Sequence, residues 1–246
     1  MLISILGFWD IYFNSDTPPL LHHHLHFLTA FMWMGLLLVQ LRLIDRGDFK
    51  GHRKVGLAVL LAGPIMVAMT ATLSVLSAYK GVVSGKGDFL IIQNVMGSLE
   101  FAALVLFAFM FKRNRKLHGA FLMSTTIVFM GIGLFFALIS FAPPFRIEGP
   151  ETAYRFQTAA MTGQVICLLV GGLFFVRDYR TGWPYLLAAA FFVLNEVIRS
   201  VLTAVDLIDP LTRFVGSLSQ PVTFVATFSV MVVLLAALAL PETRKG

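Results

Sequence analysis

Charged residues are scarce in this sequence. Asp, Glu, Lys and Arg together make up 13% of its 246 residues, whereas hydrophobic residues make up 58%. A water-soluble domain carries about 25% charged residues, because most of its surface must face water. The scarcity therefore excludes an ordinary cytoplasmic enzyme and an intrinsically disordered chain. It favours a chain whose surface faces lipid.

Cysteine is nearly absent as well. The single cysteine, Cys167, cannot form a disulfide within the chain, which excludes a secreted disulfide scaffold. No cysteine pair, Walker loop or Rossmann glycine pattern occurs in a supporting context. Gly131-x-Gly133 and Gly171-Gly172 lie inside hydrophobic runs, where small residues allow helices to pack closely. The common motifs of soluble enzymes are therefore not found.

Long hydrophobic runs are what the sequence has in abundance. About 20 apolar residues in a helix are enough to cross the hydrocarbon core of a bilayer. Seven such runs are separated by short polar connections that contain glycine, proline and basic residues. We therefore predict an all-α, polytopic membrane protein with seven transmembrane helices. The predicted spans are approximately 20–43, 55–79, 89–111, 119–142, 156–176, 185–206 and 214–240.

Basic residues are distributed unequally between the two sides that seven spans create. Because cytoplasmic loops carry an excess of Lys and Arg, we predict that the N-terminus is outside and the C-terminus is cytoplasmic. Topology also accounts for the net charge of +6, so we expect no nucleic acid partner. We expect the protein in the cytoplasmic (inner) membrane of a bacterium. The basic residues on the predicted cytoplasmic side are Arg42, Arg46, Lys50, Arg53, Lys54, Lys112, Arg113, Arg115, Lys116, Arg177, Arg180, Arg244 and Lys245.

The first residues form a separate segment. Residues 1–13 are apolar but too short to cross a bilayer, and Asp10 interrupts them. They lack the basic region and the small-residue cleavage site of a signal peptide, and their aromatic residues suit the membrane interface. We predict an interfacial segment over 1–19. A four-helix bundle that contains all the histidines follows over 20–142, and three further transmembrane helices follow over 143–246.

Short motifs in the four-helix part follow a familiar pattern. They are His26 near a helix start, Gln40-Leu41-Arg42, His52-Arg53-x-x-Gly56, and Lys116-x-His118 with Met123 shortly after. This pattern resembles that of a family of uncharacterised bacterial four-helix membrane proteins. The layout of that family is similar to that of transmembrane b-type cytochromes. The resemblance covers residues 20–142 and implies a fold more than a function.

Two histidines lie at predicted cytoplasmic helix ends. His52 and His118 belong to different helices at the same membrane depth, so they could approach one iron atom from both sides. Imidazole is a common axial ligand of haem iron. The neighbouring Arg53 and Arg115 could neutralise the haem propionates. We therefore predict a haem b site here. The alternative is a pair of interfacial histidines beside phospholipid headgroups.

The other four histidines lie at the predicted outer end of the first span. On a helix, His26 shares a face with His22 and with His23. Two ligands on one face suit Zn²⁺ or Cu²⁺, whereas a haem would need a partner from another helix, such as a methionine. The alternative is a polar cap on the first helical turn at the interface. The cluster, which we predict as a metal site, comprises His22, His23, His24 and His26.

Ionisable residues inside the membrane are costly and are candidates for function. Glu100 lies near the middle of the third span, and Asn195, Glu196 and Arg199 lie in the sixth. Glu196 and Arg199 are three residues apart, so they can pair on one helix face. Glu100 is then either protonated or paired with Arg199. One interpretation is a proton path or a quinol-binding site, and the other is a polar clasp between the two halves.

Two well-known classes of seven-helix protein do not fit the sequence. A retinal Schiff base needs a lysine inside a late span, and no lysine lies inside any predicted span. Seven-helix zinc hydrolases need metal ligands on early and late spans, and the last three spans contain no histidine.

Three hypotheses about function stay open, and so does the question whether the protein is an enzyme. The first is an integral membrane redox or electron-transfer subunit that binds haem b, with a quinone among its candidate partners. The second is a non-catalytic accessory subunit of a larger membrane complex, because the hydrophilic loops are too small to hold a soluble active site. The third is a small-solute or metal transporter that uses the outer histidines and the intramembrane charges.

Overall fold

The structure is a computed structural model that describes residues 2–13, 20–147 and 149–239. Residues 14–19 of the predicted N-terminal segment and the basic residues Arg244 and Lys245 lie outside the described ranges. Within those ranges the chain is helical, without a β-strand. The α-helices are α1 (Leu2–Phe13), α2 (Leu21–Asp45), α3 (Phe49–Gly56), α4 (Val59–Ser84), α5 (Ile91–Met110), α6 (Arg115–Phe141), α7 (Tyr154–Arg177), α8 (Trp183–Ala204), α9 (Ile208–Gly216) and α10 (Gln220–Ala239).

In the described part of the chain, seven helical segments are long and apolar enough to cross a membrane, which confirms the predicted number of spans. They are α2, α3 together with α4, α5, α6, α7, α8 and α10. Their apolar surfaces indicate a lipid bilayer environment. We call the end of the bundle that holds the α2–α3, α5–α6 and α7–α8 connections the basic end, and the opposite end the His-cluster end. Which end faces the cytoplasm stays a prediction from the charges.

The structure divides two of the predicted spans. The second predicted span is preceded by the short helix α3, which begins where the Asp48 carboxylate accepts the Gly51 N–H at 2.8 Å. A turn at Leu57 and Ala58, whose backbone stays in the right-handed helical region, separates α3 from α4. The last predicted span is two helices, α9 and α10, joined by a turn. A proline such as Pro221 has no N–H to donate and restricts the residue before it, so it favours a helix start.

The hydrophobic core runs through both predicted parts of the chain. At its centre the Trp33 side chain is fully buried, and its Nε1 donates to the Thr125 hydroxyl at 3.0 Å. The ring also lies edge-on to Phe101, with 5.0 Å between the ring centroids. Trp33 therefore joins α2, α5 and α6. Cys167 on α7 and Leu235 on α10 belong to the same core, so the last three spans pack on the first four.

Helix α1 packs along α6, where two glycines meet. A Cβ atom at Gly7 would lie 2.4 Å from the carbonyl oxygen of Gly133, so only glycine allows this approach. Leu2 and Phe13, near the two ends of α1, are exposed. The interfacial position of this segment stays a prediction.

Candidate functional site

A cavity of about 410 Å³ opens between six helices in the half of the bundle toward the His-cluster end. Side chains from α2, α4, α5, α6, α7 and α8 line it. Its size lies within the range of about 300–1,000 Å³ that small-molecule sites occupy. Its wall is mostly apolar and rich in phenylalanine. The phenylalanines in the wall are Phe27, Phe31, Phe89, Phe101, Phe129, Phe135, Phe136, Phe156 and Phe192.

Polar groups interrupt this apolar wall. His26, Gln93, Glu100 and Asn195 line the cavity from α2, α5 and α8, and each has a buried atom without a hydrogen-bond partner within the described residues. The Glu100 and Asn195 side chains are 5% and 3% exposed. Buried polar atoms are nearly always hydrogen-bonded, because leaving one unpaired costs about 1–3 kcal/mol. The cavity therefore presents hydrogen-bonding groups toward the space that a ligand would fill.

The two charged residues of α8, Glu196 and Arg199, pair with each other. Arg199 Nε donates to Glu196 Oε2 at 3.1 Å, and Arg199 Nη2 donates to Glu196 Oε1. The neighbour of Glu100 is Asn195, whose side chain lies within hydrogen-bonding reach of the carboxyl. The predicted pair on α8 therefore forms, and the structure joins Glu100 to Asn195 across α5 and α8. All four residues line the cavity.

The predicted metal cluster is divided by the helix that carries it. His23 and His26 line the cavity, whereas His24 is exposed and His22 lies outside the cavity lining. His23 Nδ1 accepts the Leu20 N–H at 3.1 Å, which caps the start of α2. In residues 2–13, 20–147 and 149–239, no group of three or more His, Cys, Asp and Glu side chains is close enough to hold a metal ion. The described residues thus lend no support to the predicted Zn²⁺ or Cu²⁺ site.

The predicted haem ligands are neighbours at the basic end. His52 on α3 and His118 on α6 lie close enough to interact electrostatically. His118 Nδ1 lies 2.7 Å from the carbonyl oxygen of Ala108, whereas His52 Nδ1 is buried without a partner among the described residues. Neither histidine lines the cavity. Arg53 and Arg115 are exposed at this end.

Part of the cavity was missed by sequence reasoning, although a signal for it existed. Gln93 and Glu100 are seven residues apart on α5, and Gln157 and Gln164 are seven apart on α7. A spacing of seven places two residues on one helix face. All four line the cavity. The phenylalanine runs, by contrast, have no single-faced pattern, so they did not reveal the phenylalanine-rich wall.

The helices and the cavity together define a membrane-embedded, all-helical protein with a site of small-molecule size. Comparison of the chain with protein-family models, with curated proteins and with solved structures found no match.

Proposed function

We propose that this protein is a membrane redox subunit that binds a quinone or quinol in the cavity. The observation that supports it is that His26, Glu100 and Asn195 each bring a buried atom without a partner among the described residues to a cavity rich in phenylalanine. A quinone has a flat ring with polar oxygens on opposite sides, attached to an apolar tail. Aromatic side chains favour contact with such a ring, and the unpaired polar atoms can hydrogen-bond to its oxygens.

The polar residues are suited to the chemistry of a quinol. When a quinol is oxidised, both O–H bonds break, the protons leave to nearby bases, and the electrons leave to an acceptor. A carboxylate and a neutral imidazole are the usual bases in proteins, and Glu100 and His26 place one of each in the cavity wall. Asn195 carries no charge, so it can orient the ring without competing for protons. All three residues would bind the quinol, and Glu100 and His26 would accept its protons.

A haem b at the basic end is the second part of this proposal. Histidines that bind a metal usually donate their other ring N–H to a carbonyl or carboxylate. The contact of His118 Nδ1 with the Ala108 carbonyl fits this arrangement and leaves Nε2 for a ligand. His52 approaches from a different helix. His52 and His118 would therefore hold the haem, which would supply a one-electron acceptor when bound. The two electrons of a quinol would leave one at a time, and a one-electron carrier of a partner protein would reoxidise the haem between them.

Replacing Glu100 with leucine tests the quinol site. The change removes a polar partner of the quinol, and we expect the affinity for a short-tailed quinol to fall by about tenfold, because a buried polar group that loses its partner costs about 1–3 kcal/mol. Binding is measured with the purified protein in detergent by isothermal titration calorimetry.

Gln40→Leu is the matched control for this measurement. Gln40 is 6% exposed, and like Glu100 it has buried side-chain atoms without a partner among the described residues. Unlike Glu100, it does not line the cavity. The Gln40→Leu variant should therefore bind the quinol with the affinity of the wild type. Equal affinities in all three proteins, or no binding by the wild type, would reject the quinol site and favour an accessory subunit.

A reduced-minus-oxidised absorption spectrum of the purified protein tests the haem. We expect a b-type signal in the wild type and its loss in His52→Ala and in His118→Ala, because each variant removes an axial ligand. His24→Ala, which changes an exposed histidine at the other end, should keep the signal. A wild-type protein without the signal, or a signal that survives both replacements, would contradict the haem site.

A further inference from the structure

A second, smaller pocket adjoins the cavity at the His-cluster end. Its volume is about 380 Å³, and the end of α8, the start of α9 and the α4–α5 connection form its walls. We call this pocket the vestibule. These segments lie near or beyond the ends of the spanning helices, and Asp206 and Asp209 in the lining are exposed carboxylates, which favour water over lipid. Its lining consists of Asp88, Phe89, Ile91, Arg199, Thr203, Asp206, Ile208 and Asp209.

Phe89 and Arg199 line both spaces, so they lie at the boundary between the vestibule and the cavity. The Arg199 guanidinium lies over the Phe89 ring, 5.3 Å from its centroid. The Phe89 ring also lies edge-on to Phe156 of α7, at 4.7 Å between centroids. The ion pair with Glu196 holds Arg199 in place. We call Phe89 and Arg199 the partition.

Asp88 provides a polar connection around the partition. It lines the vestibule, and its side chain is only 8% exposed. Oδ1 accepts the Leu90 N–H at 3.0 Å, whereas Oδ2 is buried without a close partner in the described part of the chain. The side chains of Ser77 and Asn94 lie beside the carboxyl, and both line the cavity. Asp88 therefore has the vestibule on one side and polar groups of the cavity wall on the other.

We propose that Asp88 carries protons between the cavity and the water of the vestibule. A proton that leaves Glu100 would reach the Ser77 hydroxyl through water in the cavity. Ser77 would pass its own proton to Asp88 as it receives one, and Asp88 would release a proton to water in the vestibule. No charge accumulates on the way. This proposal rests on the proposed function, because the protons would come from a quinol that is oxidised in the cavity and must reach water.

The surroundings of Asp88 suit a group that gains and loses a proton. Burial raises the pKa of Asp88 above the ordinary value of an aspartate, while the Leu90 N–H and the Ser77 and Asn94 side chains oppose this rise. Arg199, the basic residue in the vestibule lining, forms an ion pair with Glu196. The other titratable or charged groups that line the two spaces are His23, His26, Lys80, Glu100, Asp206 and Asp209.

A pH-jump experiment on the purified protein tests the route. After a rapid drop in pH, the protonation of Glu100 is followed by the growth of its carboxylic C=O band in the infrared, and the band is identified by its loss in Glu100→Leu. Asparagine cannot ionise, so in Asp88→Asn we expect protonation to be slower by about tenfold or more. Asp178→Asn changes a carboxylate at the basic end and should leave the rate unchanged.

A double variant separates a lost proton carrier from a misfolded protein. In Asp88→Asn with Phe89→Ala the partition is open, so we expect water to enter and most of the wild-type rate to return. An unchanged rate in Asp88→Asn, a failure of Phe89→Ala to restore it, or a Glu100 band that never changes would each overturn the proposal. Quinol affinity is measured separately and should be the same in Asp88→Asn and the wild type. A slow pH response without quinol binding would therefore reject the quinol site and keep the proton route.

Discussion

Replacing Trp33 with alanine is expected to lower the free energy of unfolding by about 3–5 kcal/mol, as the loss of a large buried aromatic side chain does elsewhere. Trp33 is 0% exposed, donates a hydrogen bond to Thr125 and packs edge-on against Phe101. The variant would leave a void where α2, α5 and α6 meet, and it would leave the Thr125 hydroxyl without this donor. Unfolding in mixed detergent, followed by far-UV circular dichroism, measures the change.

Two further tryptophan variants serve as controls for Trp33→Ala. Trp33→Phe keeps an aromatic ring but removes the N–H, so we expect a smaller loss of about 1–3 kcal/mol. Trp9 on α1 is 44% exposed, and Trp9→Ala should change stability by about 0.5 kcal/mol or less. Similar losses in Trp33→Ala and Trp9→Ala would mean that Trp33 does not join the three helices.

Replacing Gly171 with leucine is expected to force α7 away from α8. A Cβ atom at this position would lie 2.7 Å from the Tyr185 carbonyl oxygen and 2.9 Å from the Ala189 Cβ. Neither atom is the free end of a flexible side chain, so the helices must separate. Overpacking of this kind costs about 1–3 kcal/mol. Thermal unfolding in detergent should show a clear loss of stability.

The neighbouring Gly172 is a matched control. A Cβ atom there would meet nothing within 4 Å, so Gly172→Leu should keep stability or raise it by up to about 1 kcal/mol through helix propensity. Both variants gain the same helix propensity, and the difference between them isolates the contact of α7 with α8. Equal stability of the two variants would show that the helices are not in close contact at Gly171.

The proposed sites divide the protein into two functional ends. The quinol cavity and the vestibule lie toward the His-cluster end, and the proposed haem ligands His52 and His118 lie at the basic end. Protons would then leave at one end, while electrons would move toward the other. This separation is what a redox protein needs if it is to release protons on only one side of a membrane.

The number of spans was predictable because it depends on local information. Each span is a run of apolar residues whose length is set by the thickness of the bilayer, whatever the other spans do. The break near Leu57 was not predictable in this way. Leu57 and Ala58 are apolar, so hydropathy continues through this interruption. The break before α10 did have a local signal, because Ser217 and Ser219 are polar and Pro221 follows them.

The candidate site was predictable residue by residue but not as a site. Glu100, Asn195, Glu196 and Arg199 drew attention because charged and amide side chains are costly inside a membrane. The ion pair of Glu196 with Arg199 needed only their spacing on one helix. The partner of Glu100 depended on which helix lies beside α5 and how that helix is rotated. The sequence left Arg199 as a candidate, and the structure places Asn195 there.

The helical class, the count of spans and the pair on α8 follow from the order of residues alone, because hydrophobic length and helical spacing act within one segment. The shared cavity of His23, His26 and Glu100 became visible only in the folded chain, as did the position of Asp88 in the vestibule beside residues of the cavity wall. Those relations depend on how side chains from six helices pack together. Packing of that kind joins residues far apart in the chain, so no single run of sequence contains it.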